Sequence, residues 1–475
     1  MRVLAIDQGT SSTKALVVAE DGAVLAEAEV PVSARVLDDG GVEQDPEALW
    51  ESVLAAGRQA MATARGPIGA VGLANQGETV LAWDRASGRP LSAAISWQDR
   101  RATGVCERLR GHAARLQAIS GLPLDPYFAA PKMRWLRDTT TSSGVCTTTD
   151  TWLLHRLCGA FVTDAATASR TLLLDLDAVE WSAEACAVFA VDPQALPAIV
   201  GCATAVGDTD AFGTAVPVCA AAVDQQAALF AEGCHRAGEA KCTYGTGAFL
   251  LATLGQRASR SAAGLATCIA WRLGDRTTYC LDGQVYTVGA AVTWLTRVGL
   301  IERAADLDRL GGAVADAGGA MFVPALAGLA APFWRPQARA TFTGLSLATS
   351  REQLVRAVIE GIAAQIAWLA RAAAADLGTA MTRLRADGGL TRSRVLMQAQ
   401  ADLLQAPVEV YPSPHATALG IAALARLGAG AAADPASAVG RWTPAARYEP
   451  RMPSEEAERR LDRWRRAAEA ALDMS

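Results

Sequence analysis

One acid and two amides, Asp224, Gln225 and Gln226, interrupt the apolar run AAAVDQQAALF at residues 220–230. Desolvating a carboxylate costs several kcal/mol, so its placement there needs a reason. If Asp224 lies in a cleft, a substrate hydroxyl satisfies it, and the carboxylate can orient that hydroxyl and take its proton as the oxygen attacks a γ-phosphate. Gln225 would then bond a neighbouring hydroxyl. The plainer reading makes Asp224 the N-cap of a helix QQAALFAEG, and the two are compatible.

Three further stretches have the composition of phosphate-binding loops. In DQGTSSTK (7–14), Gly9 allows a tight turn, Thr10, Ser11 and Ser12 offer hydroxyl and amide donors, and Lys14 follows. Asp7 could hold Mg²⁺, which favours a carboxylate plus waters; an ordinary hairpin turn explains the octapeptide equally well. TYGTG (243–247) offers the amides of Gly245 to Gly247 and the Thr246 hydroxyl, and DGGLTRS (387–393) sets Gly388 and Gly389 between a strand and a helix start. A nucleotide gripped from two sides accounts for all three. NQGET (75–79) adds Glu78 as an acceptor for a second hydroxyl, against the alternative of a hairpin connection with a solvated glutamate.

The elements that must hold these residues read as α/β. RVLAI, KALVV and AVLAEAEV form an antiparallel meander, and Pro46 after an Asp45 N-cap opens a helix with Leu49, Val53, Leu54 and Met61 on one face. A related plan begins near residue 240, with AKCTY, a GTG turn and AFLLATL. A long helix follows from a Ser350/Gln353 capping box to Gly378, then a short strand RLRA, the DGGL turn and a helix SRVLMQAQADLL. An amphipathic helix with Leu461, Trp464, Ala468 and Leu472 closes the chain. At 475 residues and 51% hydrophobic, the chain is long enough for two such domains with a cleft between them.

A net charge of −5 and no basic, aromatic-interleaved patch leave no electrostatic footprint for nucleic acid or a membrane surface. Ten cysteines without CxxC pairs and only four histidines argue against a zinc cage or a disulfide framework and for reduced, cytoplasmic core thiols. Asp7 falls too early for a signal peptide, and no long uninterrupted apolar stretch follows.

The motifs AIDQGTSSTKALV, SGLPLDPYFAAPKMRWL, TDAATASRTLL, DQQAALF, TYGTGAF, VPALAGLAAPFW and DGGLTRSRVLMQAQADLL occur in one order along the chain. In that order the sequence resembles the FGGY carbohydrate kinases, and within them the glycerol kinases. The resemblance implies two actin/hexokinase-like (ribonuclease H-like) domains, residues 1–230 and 231–475, closing on ATP, Mg²⁺ and a polyol whose terminal hydroxyl is phosphorylated. By position, Asp224 would be the catalytic base, Glu78, Tyr127 and Gln225 the polar polyol contacts, and Trp97 and Phe249 an apolar wall. Thr10, Ser11, Ser12 and Lys14 would form the first phosphate loop and Asp7 the metal-associated carboxylate. Thr246, Gly289, Gly388 and Gly389 would meet ATP, with Thr293 and Ser393 where glycerol kinases carry Gln and Asn. A homodimer is also implied.

Gly77 departs from the pattern, since glycerol kinases carry Arg there. Losing one charged hydrogen bond costs about 1.5–3 kcal/mol. This predicts an acceptor longer than glycerol that fills the vacated volume, or a ketose such as xylulose. GDTDAFGTA (207–215) lacks the basic loop of sugar-bisphosphate regulation, which predicts no such inhibition. The rival readings are an actin- or chaperone-like ATPase, in which Asp224, Gln225, Glu78 and Tyr127 would have no task, and a binding protein that has lost turnover.

Overall fold

The computed structural model describes residues 1–473. Its first half is organised by a six-stranded sheet containing β1 (Val3–Gln8), β2 (Ser12–Val18) and β3 (Val24–Pro31), the meander read from the sequence. Helix α1 (Pro46–Ala64) starts where expected, with the Asp45 side chain accepting from Glu47 N. Strand β4 (Ala70–Asn75) runs parallel to β1 on the side away from β2. Beyond it, β5 (Val80–Trp83) belongs to a separate five-stranded sheet, so NQGET joins two sheets and is not a hairpin turn. Strand β6 (Val216–Val223) lies parallel to β4 and leads directly into helix α2 (Asp224–Ala231).

A seven-stranded sheet organises the second half. Strands β7 (Ala240–Tyr244) and β8 (Ala248–Gly255) form an antiparallel pair, and β8 also pairs with the long β10 (Arg276–Val285), which β9 (Ala266–Leu273) flanks. Helix α3 (Gly289–Arg297) follows β10. The long helix α4 (Arg351–Leu377) has the expected capping box, with Ser350 and Gln353 bonding reciprocally, and stops at Gly378 in a left-handed conformation. Among the described residues it alone has the length and apolarity of a membrane span, yet 78% of that window is buried inside the protein. Strand β11 (Leu384–Asp387) then lies parallel to β7, and helix α5 (Arg394–Leu404) follows. In each half, therefore, an antiparallel partner flanks the first strand on one side and parallel strands flank it on the other.

The two halves share more than a cleft. Helix α1 covers one face of the first sheet through Leu49, Val53, Ala56 and Ala60. The opposite face is covered by α6 (Ala416–Gly428), a helix of the second half, whose Ile421, Leu424 and Ala425 pack with Val3, Ala5, Ala74 and Phe230. Helix α7 (Ser454–Asp473) lies back on the second core through Leu461, Trp464 and Ala468. All ten cysteines are free, and all but Cys158 are buried.

Candidate active site

Register brings the chemistry together. Gln8 at the end of β1 lies beside Asn75 at the end of β4, and Asn75 lies beside Val223 at the end of β6. Ligands of open α/β sheets bind beyond the carboxyl ends of such parallel strands. The segments that follow the three strands carry Thr10 and Ser11, then Gly77 and Glu78, then Asp224 and Gln225, and all six residues line one cavity of about 210 Å³. The second sheet contributes in the same manner: Thr243 on β7 stands beside Asp387 on β11, and the turn after β7 supplies Gly245, Thr246 and Gly247 to the same cavity.

Asp224 is the first residue of α2 and not its N-cap. The cap position is Val223, which makes no side-chain cap bond, while Asp224 Oδ1 accepts from the next amide, Gln225 N, at 2.7 Å. Its carboxylate therefore keeps accepting capacity toward the cavity. Burial raises its pKa, opposed by the Gln225 amide and the charge of Lys241. Glu78 is buried, and its backbone is left-handed at φ 60°, a conformation a non-glycine residue holds only when its surroundings over-determine it. Tyr127 is buried too, and Trp97 meets both Tyr127 and Phe249 edge-on at 5.9 Å between ring centroids. Trp97 also donates from Nε1 to Thr10 Oγ1 at 2.9 Å, tying the apolar wall to the first loop.

A residue that the sequence reading passed over organises this wall. Arg170, 2% exposed, donates from Nε to Glu78 Oε1 at 2.5 Å, from Nη1 to Asp282, and from Nη2 toward the Tyr127 hydroxyl at 3.4 Å. A guanidinium is thus present beside the cavity although position 77 is glycine. At Gly77, an added Cβ would meet Val223 Cγ1 at 3.1 Å, so a larger side chain there requires Val223 to yield. Burial pushes Glu78 up while Arg170 draws it back, and neighbouring Lys132, its ammonium wrapped by the carbonyls of Pro126, Tyr127 and Phe128, is lowered to about 7 by burial. Glu78, Asp224 and Asp282 bring carboxylate oxygens to this wall, suited to hydroxyl donors, with Arg170, Lys132 and Lys241 as the nearby cations.

Asp7 is pushed up to about 7, first by burial and then by the charge of Asp224, and no hydrogen bond from the described residues satisfies its carboxylate. Two carboxylates in mutual repulsion, without a third acidic, histidine or cysteine ligand among the described residues, fit Mg²⁺, which takes one or two carboxylates and completes its shell with water and phosphate oxygens.

The nucleotide-side glycines converge by backbone contact. Gly289 N donates to Gly245 O at 3.0 Å, and Gly388, at φ 92°, sits so close to β7 that a Cβ would fall 2.5 Å from Tyr244 O. Gly389 follows on the exposed side of that turn. Thr10, Ser11 and Thr246 line the cavity, whereas Ser12, Lys14, Gly289, Thr293, Gly388, Gly389 and Ser393 do not. Ser12 donates to Glu29 Oε1 at 2.6 Å and Lys14 leans to the same carboxylate at 4.0 Å, because both face β3. Thr293 is exposed on α3 and donates to Gly289 O, and Ser393 caps α5 while donating to Asp308 Oδ1 at 2.5 Å, which commits its hydroxyl to local structure.

The chain resembles characterised proteins over its whole length. It is 42% identical to the glycerol kinase of Myxococcus xanthus, covering 99% of both chains, and 42% identical to that of Thermus brockianus, covering 99% of this chain and 98% of the relative. Among solved structures, the Plasmodium falciparum glycerol kinase with ADP superposes at a TM-score of 0.91 and 30% identity, covering 99% of this chain and 98% of that one. A xylulose kinase from Rhodospirillum rubrum superposes at 0.86 and 26% identity, covering 100% and 99%. Residues 2–231 match the N-terminal domain, and residues 240–429 the C-terminal domain, of one family. The chain belongs to the FGGY family of carbohydrate kinases.

Proposed function

We propose that the protein transfers the γ-phosphoryl group of ATP to a terminal hydroxyl of a small, neutral polyol. The observation that carries this is the position of Asp224: at the first turn of α2, facing a cavity walled by Glu78, Tyr127 and an aromatic pair, within reach of glycine loops from the opposite half. Family membership brings ATP with Mg²⁺ as the phosphoryl donor. The metal, when held at Asp7, neutralises charge on the phosphate oxygens as the phosphoryl group moves.

The chain's own residues do the rest. Asp224 accepts the proton of the attacking hydroxyl, Glu78 accepts a hydrogen bond from a second hydroxyl, and Gln225 completes the polar grip. The ring faces of Trp97 and Phe249 exclude water and pack the carbon chain. The glycine at position 77, which lines the cavity without a side chain to reach a hydroxyl, favours an acceptor longer than glycerol, with a ketose as the second choice. Residues 1–230 carry most of the polyol side, and residues 231–475 add Phe249 and the nucleotide loops. Net charge and buried thiols support a cytoplasmic enzyme acting on free small molecules, without nucleic acid or membrane, and family resemblance supports a homodimer.

The test is kcat/KM for ADP formation with ATP and Mg²⁺ across glycerol, four- and five-carbon alditols and xylulose. The expected maximum is a four- or five-carbon polyol. A maximum on glycerol rejects the longer acceptor and keeps the kinase, whereas ADP release indifferent to every acceptor favours an ATPase. Asp224→Asn is expected to bind acceptor and nucleotide yet lose at least about a hundredfold in kcat.

A further inference from the structure

We propose that Lys241 is a positioning residue that fixes Gln225 as a hydrogen-bond donor to the acceptor molecule; the inference rests on the polyol-kinase reading above. Lys241 lies on β7, fully buried, and donates from Nζ to Gln225 Oε1 and to Thr243 Oγ1, both at 2.6 Å. An ammonium group has donors and no acceptor. The amide oxygen of Gln225 must therefore turn toward Lys241, and the amide nitrogen turns the other way. No described residue accepts from that nitrogen, and Gln225 lines the cavity.

Helix α2 thus presents an acceptor and a donor side by side, Asp224 and the Gln225 amide. Two adjacent hydroxyls match that pair: one gives its hydrogen to Asp224 while the oxygen of its neighbour receives from Gln225. A glutamine free to flip would offer its oxygen half the time and lose the match. Lys241 is itself held from the far side by the Thr243 hydroxyl, and Thr243 stands in register with Asp387, the residue before Gly388. The bonded polar groups Gln225, Lys241 and Thr243 run from the acceptor side to the strand beside Asp387 and the nucleotide loop.

The probes are glycerol, a vicinal triol, and 1,3-propanediol, which lacks the middle hydroxyl. In the wild-type enzyme kcat/KM is expected to favour glycerol about tenfold to a hundredfold. Lys241→Met and Gln225→Glu should each bring that ratio to within about threefold of unity, with KM for glycerol changing more than kcat. Gln225→Glu keeps an oxygen for Lys241 and turns an acceptor, not a donor, to the cavity, so it carries the test if Lys241→Met does not fold. A merely structural role would lower both acceptors' rates equally and leave the ratio intact. Retention of the wild-type ratio in Gln225→Glu, or in folded Lys241→Met, overturns the proposal. A wild-type enzyme that phosphorylates neither probe nor any panel polyol defeats the kinase reading instead.

Discussion

Arg170 shows how a side chain's worth depends on what it leaves behind. Its guanidinium sits between Glu78 and Asp282, all three buried, and among the described residues the only other side chain hydrogen-bonded to either acid is the Gln284 amide on Asp282. Removing one partner of a buried ion pair is costly, about 3–5 kcal/mol, because the other charge stays behind. Lysine keeps the charge but cannot reproduce a planar fork that bonds two carboxylates and a phenol at once. Arg170→Lys is therefore expected to lower Tm and to cut kcat/KM at least tenfold, chiefly by misdirecting Glu78; a wild-type Tm and KM would show that the fork is dispensable. Asp224 stood out in the sequence as a lone charge in an apolar run, and the fold sets it on one cavity with Glu78. Arg170 in TDAATASRTLL and Asp282 in YCLDGQV carry the same signal, but their partners are far apart in sequence, so their meaning appears only once the sheets are assembled. Ser393 and Thr293 were expected at nucleotide positions from family position alone, and in the ligand-free fold both hydroxyls donate to nearby acceptors.

Elements were easier to read than their neighbours. The meander β1–β3, the Asp45-capped α1 and the boxed start of α4 follow from local pattern and were read correctly, because each depends on residues within a few positions. The partners of β4 and β5 depend on contacts far along the chain, so the hairpin alternative for NQGET gives way to a junction between sheets. The crossing of α6 over α2 was equally silent, and it positions the helix that begins with Asp224. At Gly420 a Cβ would lie only 1.8 Å from Ala227 O, so the helices meet backbone to backbone. Gly420→Ala must push α2 away from α6 and carry Asp224 with it. The expected outcome is lost stability, of the 1–3 kcal/mol typical of overpacking, together with a fall in kcat larger than any change in nucleotide KM. Unfolding by denaturant and steady-state kinetics check both, and an unchanged kcat would mean that α2 does not set the base.

For the whole molecule, the division into two similar halves was visible in the recurring strand–glycine turn–strand plan, but the exchange of α6 onto the first sheet was not, since an apolar helix carries no address. The result is a cleft whose floor is shared, with Asp7 and Asp224 on one side and the glycine loops on the other. That arrangement has a titration consequence. Asp7 rises from an ordinary carboxylate value of 3.8 to about 7 in the folded, ligand-free protein, so folding favours its protonated form. A group whose folded pKa is raised contributes stability that is fully present below the unfolded value and is lost as pH climbs through the folded one, here between about pH 4 and 7. The slope from one such group is at most ~1.4 kcal/mol per pH unit. A divalent cation with nucleotide phosphates favours the ionised form and reverses the preference. Tm measured from pH 5 to 8 should therefore fall more steeply for the ligand-free protein than with saturating Mg²⁺ and ADP, and Asp7→Asn should flatten the ligand-free curve toward the other. Parallel curves in all three samples would mean that Asp7 is already ionised at pH 5 and that no cation need displace a proton to bind.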